Sequence, residues 1–247
     1  AAAGKRPIQV SAAMAGWLKR CLQISEQTGG AFDVSIGKLS RLWDIDTWAA
    51  ADDPQDYELP ELEEIEQACA LAGWKQMILE QRTNSTVVSI PAGMQLDLGA
   101  VGKGVALDEI RKILEENGYQ VVHTILLPDD REMLAQEMSR IADEGVAELL
   151  VTTGGTGFSP RDCMPEATMD ITERAVPGIP EAIRAYSMTI TPRAMLSRAA
   201  AGIRKHTLII NLPGSPKAVK ESLEYILPSL EHGLEILTGT ASNCAVR

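Results

Sequence analysis

The sequence after about residue 107 predicts an α/β fold, a three-layer α/β/α arrangement with a mostly parallel sheet. Strand-like and helix-like patterns alternate there, and loops rich in glycine, proline or aspartate follow the strand-like runs. The predicted strands are 121–126, 147–152 and 207–211, and the predicted helices are 131–143, 165–174, 179–187, 195–201 and 216–230. Strands joined by helices lie parallel, and their helices cover both faces of the sheet.

The first part of the chain predicts an α+β fragment. Helical periodicity spans 13–27 and ends at Gly29-Gly30, and a second helix is predicted from Pro60 to Ala72. The other elements are short strands at 77–79 and 86–90, a strand at 94–98, a glycine-rich segment at 99–104 and a helix from about 105 to 116. The acidic stretch 44–58 is typical of a solvated loop.

Composition narrows the function classes. The 247 residues carry a net charge of −11, which argues against nucleic-acid binding because that needs a basic face. No run of about 18 apolar residues is present, so we expect no membrane association through a spanning helix. The four cysteines, Cys21, Cys69, Cys163 and Cys244, form no CxxC pair. They predict free thiols in a cytoplasmic protein.

Three loops follow predicted strands of the second part, at 127–130, 151–162 and 211–217. The carboxyl ends of strands form the edge where open α/β sheets bind ligands. Glycines in the second loop would let backbone N–H groups approach an oxyanion, and the third loop leads into a helix N-terminus. Alone, each loop is also typical of a turn, a helix cap or a proline loop. Their coincidence favours a nucleotide or phosphate ligand.

Charged residues in these loops suit such a ligand. Asp129 and Asp162 come from different loops, and a carboxylate pair beside phosphates predicts Mg²⁺. Arg161, Arg193 and Lys217 could neutralise phosphate charge.

Residues 152–168, TTGGTGFSPRDCMPEAT, resemble the signature of the MogA, MoaB and gephyrin G-domain family. Segments 177–184, 191–204 and 207–233 are similar to the same family in order and spacing. The resemblance implies adenylylation of molybdopterin by ATP with Mg²⁺ and release of pyrophosphate, although some relatives act in later molybdate insertion. It also implies a homo-oligomer, a trimer or hexamer, with other molybdenum-cofactor enzymes as partners.

The resemblance implies roles for particular residues. Asp129 and Asp162 would be the catalytic, Mg²⁺-holding pair. The residues that would contact the pterin and nucleotide are Thr153, Gly154, Gly155, Thr156, Gly157, Ser197, Asn211, Pro213, Gly214, Ser215, Pro216 and Lys217. The chain departs from the family at Cys163-Met164, where Val-Thr is usual. We expect Cys163 to be a small buried hydrophobic residue.

The first part resembles a different family, the ApbE-like flavin transferases, which move FMN from FAD onto a protein threonine. The resemblance rests on TGGAFDVSIGKL at 28–39 and LDLGAVGKG at 96–104. It implies an FAD site that includes Thr28, Gly29, Gly30, Asp33, Asp97 and Lys103. The segment is not a P-loop because no Ser or Thr follows Lys103. Later segments of that family, including its metal-binding region, are not found.

The sequence therefore predicts a fusion of a partial flavin-transferase-like domain, 1–106, with a molybdopterin-binding domain, 107–247, that lacks its first strand. The leading function is molybdopterin adenylylation; the alternatives are flavinylation of a protein threonine and a non-catalytic pterin-binding module or inactive chimera. One structural hypothesis is that 94–98 occupies the vacant place in the sheet, beside 149–151 and 208–211.

Overall fold

The computed structural model describes residues 4–44 and 58–240. Most of the predicted acidic loop and Cys244 lie outside these described residues. The chain divides into two compact units, residues 1–101 and residues 102–247. No helix within 4–44 and 58–240 is long and apolar enough to cross a membrane.

In residues 4–44 and 58–101, the first unit consists of a small antiparallel sheet and three α-helices. Its elements are β1 (Ile8–Val10), α1 (Ala12–Gln27), α2 (Gly37–Trp43), α3 (Leu62–Ala70), β2 (Ile78–Arg82) and β3 (Ser85–Ser89), with sheet order β1-β3-β2. The Ser11 side chain accepts a hydrogen bond from Met14 N at 3.2 Å and so starts α1. The predicted helices at 13–27 and 60–72 and the predicted hairpin are confirmed. Leu18, Cys21 and Met94 are among the buried core residues.

The second unit contains a mixed sheet. Its elements are β4 (Leu149–Thr153), β5 (Arg174–Ala175), β6 (Ala201–Arg204), β7 (Thr207–Leu212), α5 (Arg131–Asp143), α6 (Met164–Ile171), α7 (Gly178–Met188) and α8 (Pro216–Thr238). A further helix, α4 (Gly99–Glu116), leads into this unit. The sheet order is β4-β7-β6-β5, with β4 parallel to β7 and β6 antiparallel to both of its neighbours.

Helices cover both faces of this sheet, which confirms the α/β class. One apolar cluster joins α4, α7 and α8 to the sheet through residues such as Ile110, Ile183 and Leu223. The other cluster joins α5 and α6 to the opposite face through Leu134 and Ala167. Consecutive residues of β7 are divided between the clusters because side chains along a strand alternate between its faces.

The hypothesis that residues 94–98 fill a vacant place in this sheet is wrong. Gln95 forms only an isolated bridge with Ile36, and Gly37 N donates to Gln95 O at 3.0 Å. A Cβ on Gly37 would stand 2.8 Å from Gln95 O, so the glycine permits this close approach. Within the described residues, β4 pairs with β7 alone. The predicted glycine-rich loop 99–104 is also wrong, because α4 already begins at Gly99.

Two further expectations are wrong. Residues 121–126 are apolar and β-branched but form no strand, because no neighbouring strand pairs with them among the described residues. The predicted helix 195–201 is a 3₁₀ turn, Pro192–Leu196, followed by β6. A Cβ on Gly202 in β6 would stand 1.9 Å from Thr172 Cγ2, so a small residue is needed there.

An ion pair links β6 to α5 at the amino-terminal end of β7. Arg204 Nη2 lies 2.7 Å from Asp143 Oδ2, and Arg204 Nη1 donates to Ile171 O at the end of α6. Hydrogen bonds from Arg204 and then Lys205 lower the pKa of Asp143 from its usual 3.8 to about 2. The pair therefore adds stability above about pH 4 that is lost as the pH falls through about 2.

We predict that Arg204→Gln lowers the free energy of unfolding at about pH 6, and that its difference from the wild type shrinks between about pH 4 and 2. Urea unfolding followed by circular dichroism would measure both. Arg174→Gln, an exposed arginine in β5, is the matched control and should unfold like the wild type. A difference that stays constant down to pH 2 would contradict the assignment.

Candidate phosphate-binding site

Two of the three predicted loops leave neighbouring parallel strands at the same edge. Thr153 at the end of β4 is opposite Leu212 at the end of β7. Thr153 Oγ1 donates to Pro213 O at 2.7 Å and ties the loops together. A Cβ on Gly214 would stand 3.3 Å from Gly154 Cα, so the two glycine backbones nearly touch. The parallel pairing of β4 with β7 therefore brings these two loops together.

The GGTG loop, residues 154–157, has a backbone that glycine makes possible. Gly154 and Gly155 have φ values of +90° and +64°. A Cβ on Gly155 would stand 3.4 Å from Asp129 Oδ1, and a Cβ on Gly157 would stand 2.8 Å from Asp162 Oδ2. The two aspartates predicted as a catalytic pair thus both lie against the GGTG loop.

Each aspartate is held in place by a different contact. Ser159 N donates to Asp162 Oδ2 at 3.1 Å, and Asp162 N donates back to Ser159 O at 2.9 Å. Asp129 Oδ2 lies 2.8 Å from Lys103 Nζ, a distance that makes a charge-assisted hydrogen bond. All three predicted loops therefore meet at one edge of the sheet, with an ammonium group beside them.

Lys103 is a site residue that sequence reasoning placed elsewhere, in the flavin-like motif. It lies four and seven residues before Leu107 and Ile110 on α4, so all three share one helix face. Ile110 on that face is buried in the core under the sheet. The helical spacing was the signal that could have placed Lys103 at the sheet edge.

Arg198 is a second residue that sequence reasoning missed, because it fell inside a wrongly predicted helix. Its Nε donates to Gly157 O and its Nη2 to Asp162 O, both at 2.6 Å. Its guanidinium also pairs with Glu166, and its backbone N donates to Thr156 O at 2.9 Å. One side chain thus fixes both the GGTG loop and the segment that carries Asp162.

Asn211, predicted to line the ligand pocket, is fully buried. Its amide donates to Thr152 Oγ1 at 3.0 Å and to Thr168 Oγ1 at 2.8 Å, while its Oδ1 accepts from Ala200 N at 3.1 Å. Asn211 therefore connects β7 to β4 and α6 by hydrogen bonds within the core. Thr156 is similarly buried, with 7% of its surface exposed.

Ser215, Pro216 and Lys217 lie at the start of α8, whereas Ser197 follows the 3₁₀ turn Pro192–Leu196. Ser215 Oγ accepts from Ala218 N at 3.2 Å and caps the helix, with Pro216 as its first residue. Lys217 is exposed and lies 3.6 Å from Glu221. Ser197 is half-buried, and its carbonyl accepts a hydrogen bond from Arg184 at 3.3 Å.

Cys163 lies next to Asp162 and does not have the environment of a nucleophile. Desolvation raises the pKa of its thiol, and the negative charges of Asp129 and Glu166 raise it further. A protonated, half-buried thiol agrees with the expectation that Cys163 acts as a small hydrophobic residue.

In the first unit, the residues predicted to bind FAD form hydrogen bonds within and between its loops. Thr28 Oγ1 donates to Ile24 O at 2.8 Å at the end of α1, where Gly29 and Gly30 have positive φ values. Asp33 accepts hydrogen bonds from Ser35 N at 2.7 Å and from Trp74 N at 3.0 Å. The pKa of Asp97 is lowered by hydrogen bonds from Ser40 and then from Gly99 N.

Comparison with known proteins agrees with the geometry of the second unit. Residues 106–232, just over half of the chain, match the model of a family described as probable molybdopterin binding domain. The chain belongs to the molybdopterin-binding domain family. A second model, that of the ApbE family, matches residues 1–125, so the resemblance of the first part to that family is confirmed.

Several curated relatives of this molybdopterin-binding domain are named molybdopterin adenylyltransferase. Identity is 40% to the Helicobacter pylori J99 protein, across 47% of this chain and 66% of the relative. It is 38% to the protein of H. pylori 26695, across 55% and 77%, and 44% to that of Escherichia coli K12, across 42% and 53%. The chain thus spans between 53% and 77% of the length of these relatives.

Solved structures give the same fold for the domain. The molybdopterin biosynthesis enzyme MoaB from Thermus thermophilus superposes with a TM-score of 0.53 at 43% identity, covering 58% of this chain and 91% of that one. The tungsten cofactor synthesizing protein MoaB from Pyrococcus furiosus gives 0.50 at 31% identity, covering 57% and 91%.

We predict that Arg198→Lys destabilises the domain by about 1.5–3 kcal/mol, because a lysine cannot make the forked hydrogen bonds to both loops. Urea unfolding would give the magnitude, and hydrogen exchange should show faster exchange in residues 154–162. Arg193→Lys, an exposed arginine nearby, is the control. Unchanged exchange in 154–162 would mean that the loops do not depend on Arg198.

Proposed function

We propose that this chain adenylylates molybdopterin with ATP and Mg²⁺ and releases pyrophosphate. The observation that carries the proposal is the convergence of three loops at one sheet edge, where Asp129 and Asp162 both lie against the GGTG loop. Relatives named molybdopterin adenylyltransferase, at 38–44% identity, support the same activity. Because the chain spans only part of the length of these relatives, their activity is a proposal for this chain.

The chemistry is displacement at phosphorus. An oxygen of the molybdopterin phosphate forms a bond to the α-phosphorus of ATP while the bond to the departing pyrophosphate breaks. Such a reaction needs positioning and charge neutralisation more than covalent catalysis. Backbone N–H groups of residues 155–157, together with the N-terminus of α8, would bind the phosphates.

The donor set at this edge fits Mg²⁺. Within residues 4–44 and 58–240, no cluster of three or more His, Cys, Asp or Glu side chains is present. Mg²⁺ commonly binds one or two carboxylates and takes its remaining ligands from phosphates and water. Asp129 and Asp162 would therefore hold the ion only together with the nucleotide, and the ion would neutralise phosphate charge.

Lys103 has a role in this proposal because its ammonium pairs with Asp129 at 2.8 Å. Without nucleotide, Lys103 compensates the charge of Asp129. If Asp129 held Mg²⁺, the Lys103 ammonium would be available to a phosphate oxygen. The lysine would then contribute to nucleotide affinity.

We place this activity in the cytoplasm, since the described cysteines Cys21, Cys69 and Cys163 are free thiols. Homo-oligomerisation and FAD binding by the first unit are parts of the same proposal that need their own measurements, by light scattering and by flavin titration. A non-catalytic pterin-binding module remains the competing function.

We predict that the purified chain releases pyrophosphate from ATP only when both molybdopterin and Mg²⁺ are present. Asp162→Asn should slow release by about 10²–10³-fold, as when one electrostatic group of a transition-state site is lost. Asp108→Asn, an exposed aspartate on α4, is the matched control and should leave the rate unchanged.

Absence of pyrophosphate release from folded protein that still binds molybdopterin would favour the pterin-binding module. Release that does not require molybdopterin would indicate a different nucleotide-hydrolysing activity. Either result would overturn the proposed reaction.

We also predict that Lys103→Met raises the KM for ATP about 5- to 30-fold, because one charge-assisted hydrogen bond to phosphate contributes about 1–2 kcal/mol. Lys112→Met, on the same helix with an exposed side chain, is the control. An unchanged KM for ATP together with a lower stability would mean that Lys103 has only a structural role.

A further inference from the structure

A cavity of about 1020 Å³ lies beside the free edge of β4 in the second unit. The residues that line it include β4 and the segment 121–127. Within the described residues, β4 pairs with β7 alone and residues 121–127 make no backbone–backbone hydrogen bond. The free edge of β4 and a segment without backbone pairing therefore both line the cavity.

The volume of the cavity agrees with one missing strand. A strand of about five residues is about 17 Å long and takes about 4.8 Å of sheet width. Because packed layers are about 10 Å apart, one such strand occupies a volume of about 800 Å³. β4, which would pair with it, is itself five residues long. A strand there could form the backbone hydrogen bonds that the free edge of β4 and residues 121–127 lack.

Both layers of the cavity are apolar. The residues that line it from the two sides include Leu107, Ile110 and Leu114 on α4 and Leu134, Met138 and Ile141 on α5. Ile110 and Leu114 belong to one core cluster, and Leu134 and Met138 belong to the other. An occupant must therefore present apolar side chains on both faces, as strands inside α/β sheets do.

The amino-terminal end of the cavity is acidic. Glu148 directly precedes β4, and Glu231 and Glu235 line the cavity from α8. His206, before β7, lies 3.4 Å from Leu237 O, so the end of α8 lies near the amino ends of the strands. In the same cavity wall, the Tyr119 hydroxyl is buried without a hydrogen-bond partner among the described residues. A basic, polar residue would fit there.

We propose that this cavity is a docking site for an extended peptide strand from another polypeptide. The strand has about five apolar, β-branched residues preceded by lysine or arginine. It runs parallel to β4, with its basic end at Glu148 and Glu231, and its carboxyl end reaches Lys103, Asp129 and Thr153 at the loop edge. The binding is β-strand addition, in which backbone hydrogen bonds supply affinity and side-chain pockets supply specificity.

The test uses the full chain and a fluorescent peptide of two lysines followed by about five alternating valine and isoleucine residues. Fluorescence anisotropy should show saturable binding, and hydrogen exchange should slow in residues 149–153 and 121–127. A peptide methylated on alternate backbone nitrogens keeps its apolar side chains but loses backbone N–H donors. It should therefore bind at least about tenfold more weakly than the unmethylated peptide.

The negative charge at the amino-terminal end of the cavity allows a second, independent test. Glu231→Lys, on the exposed side of α8, should reduce affinity for the lysine-led peptide about two- to five-fold and increase affinity for a glutamate-led peptide by a similar factor. Lys112→Glu, an exposed charge change on α4, is the control and should leave both affinities unchanged.

Three results would overturn the proposal: equal binding of the methylated peptide, no binding of either peptide, or slow exchange of the amides of residues 149–153 before any peptide is added. The last result would mean that the chain's own segment already fills the space. Neither nucleotide nor pterin is used, so failure here is distinguishable from failure of the proposed enzymatic function.

Discussion

The parallel pairing of β4 with β7 is the interaction on which the candidate site depends. It places Thr153 opposite Leu212, so the GGTG loop and the Pro213–Ser215 loop leave the sheet side by side. The fully buried Asn211 strengthens the pairing from within, because its side chain bonds to Thr152 and Thr168. Without this register, Asp129 and Asp162 would have no common loop to lie against.

Much of this edge could be predicted from local sequence. Runs of apolar residues followed by glycine, proline and aspartate located β4, β7 and the three loops, because strand pattern and turn chemistry are local properties. The motif resemblance then selected Asp129 and Asp162. Lys103 and Arg198 were missed because their roles arise from contacts with residues 26 and 41 positions away in the chain, with Asp129 and Gly157.

The errors have a common physical cause. Residues 121–126 have the composition of a strand, yet a strand needs a hydrogen-bonding neighbour, and the adjoining place beside β4 is the cavity. Residues 94–98 could have filled it by pattern alone, but contacts with Val34, Ile36 and Gly37 hold them in the first unit. Tertiary contacts decide which strands pair, and the periodicity of the sequence does not reveal these contacts.

The central claim is that nucleotide phosphates and a divalent ion bind between Asp129 and Asp162 on the GGTG loop. It is tested most directly by NMR of the isotope-labelled chain with Mn²⁺ and a non-hydrolysable ATP analogue. The account predicts paramagnetic broadening of amide resonances in residues 129–130, 154–162 and 213–215 that requires the nucleotide. Broadening around Asp33 and Asp97 instead, or none at the sheet edge, would contradict it.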